Sequence, residues 1–250
     1  MKLSDMHVHS EYSWDCNVKI EDIIKKLINS NVYYVGICDH IEFNVEKIDF
    51  ILDKFKMRNL QIDELNQKYD GKIKILKGAE ISSPHLYRDL VPELNYLDLD
   101  YMMGSIHKID RKAQTPEEKK LGSYNYYKEV LEMVKANQVD IIGHLDYINR
   151  YYGYDYSDRY MIDEILAIIN DNDQIIEINT SASRRTNGLY SSFPNSEKLE
   201  MYVKLRKEIT IGTDAHKLNE LNYMLEKQTH IVENLELEPV VFEKRKMLKI

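Results

Sequence analysis

Residues 139–179, VDIIGHLDYINRYYGYDYSDRYMIDEILAIINDNDQIIEIN, decide the fold because they contain a complete strand–helix–strand unit. Two short apolar runs, 139–144 and 174–179, are typical of strands that are covered on both faces. Residues 160–170 between them have the apolar spacing of an amphipathic helix. Since a helical crossover is how two parallel strands are usually joined, this stretch predicts a parallel βα unit.

The same unit recurs along the chain. Further strands are predicted over residues 2–9, 32–39, 72–80, 99–107 and 209–214, and further helices over 18–29, 48–69, 124–137 and 196–207. Strands that alternate with helices predict the α/β class, and one closed barrel of about seven βα units over residues 1–250 is our interpretation. An open doubly wound sheet is the alternative. From residue 218 onward we expect a helix and then an irregular or strand-like end.

Two polar connections are longer than the others. They span residues 108–123, after the fourth predicted strand, and 184–195, after the sixth. Loops of this length above a barrel rim often act as substrate lids, and they can equally be mobile surface. Both interpretations stay open from the sequence.

Composition limits the classes of function. The chain has 250 residues, 43% of them hydrophobic and 30% charged, which is typical of a globular domain. A net charge of −8 disfavours a protein that tracks a nucleic-acid backbone. Only two cysteines are present, and neither a signal segment nor a membrane span is evident, so a cytoplasmic protein is expected. The oligomeric state stays open.

Polar residues that can bind metal or phosphate follow the predicted strands at their carboxyl ends. Because parallel strands end at one rim of a barrel, these side chains are predicted to meet there. They are His7, His9, His40, Glu80, His107, His144, Asn179, Asp214 and His216.

The spacing of these residues predicts two metal sites. His7 and His9 are two residues apart on a strand, so both imidazoles point the same way and can bind one ion, with Asp214 completing its ligands. Glu80 has two carboxylate oxygens and can bridge to a second ion, which His107 and His144 would hold. Nitrogen and oxygen ligands of this kind suit zinc, manganese or iron.

A third ion is predicted from Asp15, His40 and His216. His40 follows the second predicted strand, and His216 lies two residues after Asp214. Asp15 could instead be the N-terminal cap of the helix that begins near residue 18. The sequence leaves these two interpretations of Asp15 open.

In combination, these residues resemble the motifs of the polymerase and histidinol phosphatase (PHP) family, and within it the bacterial histidinol-phosphate phosphatases. The resemblance runs from the N-terminus to about residue 216. The matching segments are HVHS at 7–10, DH at 39–40, Glu80, SIH at 105–107, GHLD at 143–146, NTS at 179–181 and GTDAH at 212–216.

This resemblance implies a distorted (β/α)7 barrel, similar to a TIM barrel, with two or three divalent ions at its carboxyl-terminal rim. It implies the metal ligands inferred above, with Glu80 shared between the first two ions, and the hydrolysis of L-histidinol phosphate. A water bridging the first two ions would lose its proton and attack phosphorus. Arg184, which matches a family arginine in position, and Arg150 are the candidates for binding phosphate. Asp214 or His216 could protonate the leaving group.

Other functions fit parts of the pattern. The same scaffold could hydrolyse another small phosphate ester or a nucleotide, or trim nucleic-acid 3′ ends. A non-catalytic, metal-stabilised module is a further alternative, although it predicts missing ligands and all the expected positions are filled here. A small phosphorylated substrate, with neither nucleic acid nor membrane as a partner, is the prediction.

Overall fold

Strands and helices alternate along most of the chain, which a computed structural model describes over residues 2–250, apart from the side chain of residue 229. The strands are β1 (Leu3–Val8), β2 (Val32–Ile41), β3 (Lys74–Ser82), β4 (Tyr101–Ser105), β5 (Ile141–Ile142), β6 (Ile175–Asn179), β7 (Glu208–Gly212), β8 (Glu238–Glu243) and β9 (Lys246–Lys249). The helices are α1 (Ile20–Ile28), α2 (Ile48–Lys68), α3 (Pro116–Ala136), α4 (Asn149–Tyr152), α5 (Arg159–Asp171), α6 (Ser181–Arg185), α7 (Ser196–Tyr202) and α8 (Leu225–Asn234).

The first seven strands form the predicted distorted (β/α)7 barrel. Each of them pairs in parallel with the next one along the chain. The two edges of this sheet meet at the carboxyl end, where the Asp214 N–H donates to the His7 carbonyl over 2.8 Å and the His9 N–H donates to the Ala215 carbonyl over 3.0 Å. The seam between β1 and β7 is short, which makes the barrel irregular. The prediction of the fold is confirmed.

A hairpin of β8 and β9 closes the opposite end of the barrel. β8 pairs in parallel with the beginning of β7, and β9 runs antiparallel to β8. Val240, Val241 and Phe242 pack in one buried cluster with Met6 and Tyr101 of the barrel interior. The expected helix after residue 218 is α8, and the strand-like end is this hairpin, which seals the floor beneath the rim.

Tyr101 fills the middle of the barrel, and two glycines leave room for it. Its hydroxyl donates to the Met6 carbonyl over 2.6 Å, so the side chain reaches from β4 to β1. A Cβ at Gly36 would lie 1.9 Å from the Tyr101 hydroxyl oxygen, and one at Gly78 would lie 2.3 Å from its Cζ. Only glycine permits that approach of ring to strand, so the interior is packed rather than hollow.

The connection after β4 is shorter than predicted because α3 begins earlier. Thr115 caps the helix with its side chain, Glu118 completes a capping box, and Pro116 occupies the first turn. These residues begin a helix where residues 108–123 were expected to be loop, so the irregular part ends at residue 115. The second long connection is likewise shortened, because α6 covers residues 181–185. Within the described residues, no helix is long and apolar enough to cross a bilayer.

Candidate metal centre

Two histidines of the first strand begin the site. His7 and His9 are buried at the end of β1, and their Nε2 atoms are 3.1 Å apart. Two imidazole nitrogens so close together fit a shared cation. Asp214, just after β7, places Oδ1 3.5 Å from His9 Nε2. Ligand atoms of these three residues lie within 4.8 Å of one another, so the structure brings the predicted first set together.

Glu80 lies at the centre of the site, at the end of β3. Its Oε1 is 2.9 Å from His144 Nε2 and 3.3 Å from His107 Nε2. Its other oxygen, Oε2, is 3.4 Å from His7 Nε2 and 3.5 Å from His9 Nε2. The carboxylate is buried; Oε1 faces two histidines, and Oε2 faces three, the nearest being His40, whose Nδ1 is 3.0 Å away. This arrangement fits a ligand that bridges two cations.

The third predicted set is also assembled. Asp15 Oδ2 is 3.2 Å from His216 Nε2 and 3.6 Å from His40 Nε2. The residue that caps α1 is Lys19, so Asp15 is not the helix cap that the sequence allowed. The structure groups these three residues with His9, and it forms one unpredicted group from His40, Glu42 and His107.

The chemistry of these donors fits divalent metal ions. The nine predicted histidine and carboxylate ligands, together with Glu42, converge on one rim. Glu80 Oε2 and His40 Nδ1 are buried, form no hydrogen bond of good geometry in the described residues, and contact each other as an ion pair at 3.0 Å. His144 Nδ1 is buried and has no hydrogen-bond partner in the same residues. Unpaired buried polar atoms are costly unless another group satisfies them, and cations coordinated here would satisfy the carboxylate oxygen.

Without metal, the pKa values of the carboxyl and imidazole groups in the site are shifted in different directions. Burial opposes ionisation of Glu80, but the surrounding imidazoles outweigh it and hold the pKa of its carboxyl well below the usual range. Although burial acts in the other direction, Glu80 raises the pKa of His40 to about 10 and that of His107 to about 9. Burial, together with His216 and His40, lowers the pKa of His9 to about 3. His9 is therefore uncharged and can offer a nitrogen lone pair to a cation. His40 and His107 are protonated, and a cation that binds them would displace those protons.

A hydrogen-bond chain behind the centre orients His9. Ser13 Oγ donates to Asp39 Oδ1 over 2.9 Å and accepts from the His40 N–H over 3.1 Å. Because the single hydroxyl proton is committed to Asp39, the 2.9 Å contact between His9 Nδ1 and Ser13 Oγ has the imidazole as donor. The Nε2 lone pair of His9 is thereby aimed at the cage. Buried Arg58 of α2 pairs with Asp39 at 3.3 Å.

A cationic cavity adjoins the third set. It has a volume of about 420 Å³ and is lined by Asp15, Arg150, Arg184, Arg185, His216, Lys217 and Glu220. Both arginines predicted to bind phosphate, Arg150 and Arg184, therefore lie at this cavity. Arg184, however, donates through Nη2 to the carbonyls of Thr213 and Asp214 and pairs through Nη1 with Glu220. Much of its hydrogen-bonding capacity is used within the protein.

Sequence reasoning missed two residues of the site. Arg185 places Nη2 2.9 Å from Asp214 Oδ2, which puts this guanidinium closer to the predicted ligands than that of Arg184. Glu177 lies beneath the cage and contacts His7 Nδ1 at 2.8 Å. The signal for Glu177 was present, because strand alternation places it on the same face as Asn179. No such signal distinguished Arg185 from its neighbour.

The fold and the site define an α/β barrel with clustered candidate metal-binding residues at its rim. Residues 5–181 match the sequence model of the PHP domain, so the chain belongs to the PHP domain family. A probable histidinol-phosphatase of Clostridium acetobutylicum is 29% identical over 263 residues, covering 97% of this chain and 98% of its own. A probable histidinol-phosphatase of Thermotoga maritima is 28% identical over 253 residues, covering 98% of each chain. The predicted family is confirmed.

Solved structures share the fold. The histidinol phosphate phosphatase of Lactococcus lactis, whose crystal structure contains zinc, L-histidinol and phosphate, superposes with a TM-score of 0.81 at 21% identity and covers 99% of both chains. A putative histidinol phosphatase of Listeria monocytogenes gives a TM-score of 0.75 at 15% identity, covering 90% of this chain and 99% of its own. At these identities the likeness establishes the barrel, and the chemistry must be argued from this chain's own residues.

Proposed function

We propose that this chain is a metal-dependent phosphomonoesterase that hydrolyses L-histidinol phosphate to L-histidinol and phosphate, with residues 1–250 acting as a single domain. The observation that carries the proposal is the position of Glu80 between two groups of histidines, one at each carboxylate oxygen, at a rim that also holds a cationic cavity. The names of the relatives from Clostridium and Thermotoga support the choice of substrate. A 27% identical histidinol-phosphatase of Lactococcus lactis, which aligns over 86% of this chain, supports it as well.

We propose two or three bound ions, of zinc, manganese or iron. His7, His9, Glu80 and Asp214 would hold the first, Glu80 with His107 and His144 the second, and Asp15 with His40 and His216 the third. When bound, such ions supply an activated water and neutralise charge on the phosphoryl oxygens. The geometric grouping of the ligand atoms supports each set.

The chain's own cations would bind the phosphate group. A guanidinium forks onto two phosphate oxygens, and Arg150 and Arg185 line the cavity together with Lys217. We assign the main contact to Arg185, since Arg184 donates to two carbonyls of its own chain. Arg184 would then hold the segment that follows β7 in place and border the cavity.

The leaving alkoxide needs a proton, and two side chains could supply it. Burial opposes ionisation of Asp214, but Arg185 and His9 outweigh it and hold the pKa of its carboxyl well below the usual range. Burial disfavours the charged form of His216, but Asp15 and Asp214 raise the pKa of its imidazole. Protonation therefore favours His216 over Asp214 as the general acid when the third ion is absent, because a coordinated imidazole nitrogen carries no proton to give.

The free, buried cysteines Cys16 and Cys38 fit a reducing compartment, and we propose that the protein acts in the cytoplasm. A small phosphorylated substrate suits a cavity of this size better than a nucleic acid. The alternative within the family is a phosphoesterase for another small phosphate ester or a nucleotide.

The test is a steady-state comparison of substrates with protein of known metal content. Histidinol phosphate should have a kcat/KM at least tenfold above those of other phosphomonoesters and of a nucleotide diester. A value no higher than that of a generic monoester would reject the substrate and keep the reaction class. Absence of turnover on every ester, with metals bound, would favour the non-catalytic module.

A further inference from the structure

Glu177 is a fully buried carboxylate that the proposed reaction does not use. It lies on β6 and points into the barrel beneath the cage. Its Oε1 is 2.8 Å from His7 Nδ1. Its Oε2 accepts from the backbone N–H of His144 over 2.9 Å and from Asn179 Nδ2 over 3.0 Å. A buried carboxylate is costly unless several donors satisfy it, and here three neighbours do.

Gly212 leaves room for the contact between Glu177 and His7. A Cβ at Gly212 of β7 would lie 2.1 Å from Glu177 Oε1 and 2.4 Å from His7 Cβ. Glycine at residue 212 therefore allows β6 and β1 to bring the carboxylate and the imidazole together. The contact between Glu177 and His7 therefore depends on a glycine of a third strand, β7.

The contact with Glu177 determines which ring nitrogen of His7 carries a proton. The ionised carboxylate can only accept, so in the neutral form of His7 that would coordinate an ion the proton lies on Nδ1, and the lone pair of Nε2 faces Glu80 and His9. The same carboxylate holds the backbone of His144, whose φ of +23° is outside the regions that most residues adopt. One side chain thus restrains a histidine of each of the first two predicted metal sets.

We propose that Glu177 is a positioning residue that fixes the tautomer of His7 and the location of His144, and so couples the affinities of the first two metal sets. The inference rests on the metal-binding part of the proposed function, and it does not depend on which ester is hydrolysed. Hydrogen-bond partners of metal-binding histidines typically change affinity by about 10- to 100-fold when they are removed.

Glu177→Gln is the first test because it keeps the shape and exchanges one acceptor for a donor. The amide can accept from His7 or from His144, but its NH₂ group then confronts a donor on the other side. Zinc affinity, measured by competition with a chelator, should fall about 10- to 100-fold. Glu177→Asp, which keeps the charge and is one methylene shorter, should recover part of that loss.

Asp146→Asn is the matched control. Asp146 is also fully buried, but its carboxylate accepts from Tyr127 and the Asn195 N–H and pairs with Lys198 at 3.3 Å, rather than bonding to a predicted metal ligand. We expect it to lower the melting temperature without changing zinc affinity. Zinc affinity within twofold of wild type in folded Glu177→Gln, or an equal loss in Asp146→Asn, would overturn the proposal.

A measurement on the wild-type protein covers the case in which the glutamine variant does not fold. In zinc-loaded protein with ¹⁵N-labelled histidine, His7 should show its proton on Nδ1 and the metal on Nε2. The opposite tautomer would overturn the proposal. If zinc affinity and the tautomer agree with expectation but histidinol phosphate is not hydrolysed, the proposed function fails and the role of Glu177 stands.

Discussion

Gly212→Ala should weaken metal binding through a steric effect that can be worked out from the structure. The new Cβ would lie 2.4 Å from His7 Cβ, at the point where β7 meets β1. Carbon atoms in contact are usually 3.5–4.0 Å apart, so the imidazole must move by about 1 Å. A misplacement of about 1 Å can cost about 100-fold in rate, and overpacking costs about 1–3 kcal/mol of stability.

The assay compares Gly212→Ala with Gly104→Ala. At Gly104 a Cβ would lie 2.9 Å from Met133 Sδ and from Val139 Cγ2, so it overpacks the layer between the sheet and α3. Both variants should melt at a lower temperature, and only Gly212→Ala should lose zinc affinity and kcat. The reasoning is refuted if Gly212→Ala binds zinc like wild type, or if Gly104→Ala loses zinc to the same extent.

Three further outcomes are expected. Arg185→Ala should weaken inhibition by inorganic phosphate about tenfold or more, because a hydrogen bond to a charged group contributes about 1.5–3 kcal/mol. The affinity for zinc should rise with pH up to about 9–10, because His40 and His107, with pKa values of about 10 and about 9, must lose protons to coordinate it. Phe242→Ala should cost about 3–5 kcal/mol of unfolding free energy and leave the metal content unchanged, since this ring packs at the barrel floor.

Each of these outcomes has its own check. Arg159→Ala is the control for Arg185→Ala, because Arg159 is 68% exposed and pairs only with Asp163 at 4.0 Å in the described residues. For the pH dependence, calorimetry in two buffers with different ionisation enthalpies should register proton release on zinc binding at pH 7, and no release would contradict the assignment. If Phe242→Ala lost zinc as well as stability, metal binding at the rim would depend on packing at the floor, contrary to expectation.

The sign of the pH effect on the metal-free protein is opposite to that on metal binding. The pKa values of His40 and His107 are raised above the ordinary value of 6.5, so their pairing with Glu80 stabilises the fold fully below pH 6.5. That contribution is lost as pH rises through 9 and 10. Thermal melts of the metal-free protein should therefore show declining stability over this window, where zinc affinity is still rising.

Much of the rim could be predicted because it depends on where strands end. An apolar run that ends in a polar residue is visible in the sequence, and parallel pairing brings such ends together without any knowledge of side-chain packing. His107 and His144 are 37 positions apart along the chain, and both contact Glu80 Oε1. Apart from the two-residue spacing of His7 and His9, the separation of ligands along the chain carried no information about their distance in space, whereas the strand order did.

The parts that could not be predicted depend on side-chain direction and on packing. Arg184 and Arg185 are consecutive residues in the one-turn helix α6, and only its orientation decides which guanidinium reaches Asp214. The hairpin at the barrel floor was difficult because Pro239 lies in β8, and proline disfavours a central strand. It is tolerated there because Pro239 lies near the beginning of β8, where the strand pairs with β7 over only two residues and before the residues that pair with β9.

The early start of α3 could have been recognised. Thr115, Pro116 and Glu118 form a capping box with proline in the first turn, which is a strong helix-start signal in any sequence. The polar composition of residues 108–123 outweighed it in the prediction. With the loop shortened, the irregular part of this connection beyond His107 is limited to residues 108–115.

The central claim is that Glu80 serves two metal ions, one through each carboxylate oxygen. The direct measurement is the number of zinc ions per chain, by elemental analysis at a buffered free zinc concentration, for wild type and Glu80→Ala. We expect the variant to lose both ions of the first two sets and all phosphatase activity. A variant that keeps the wild-type zinc content and rate would contradict the account.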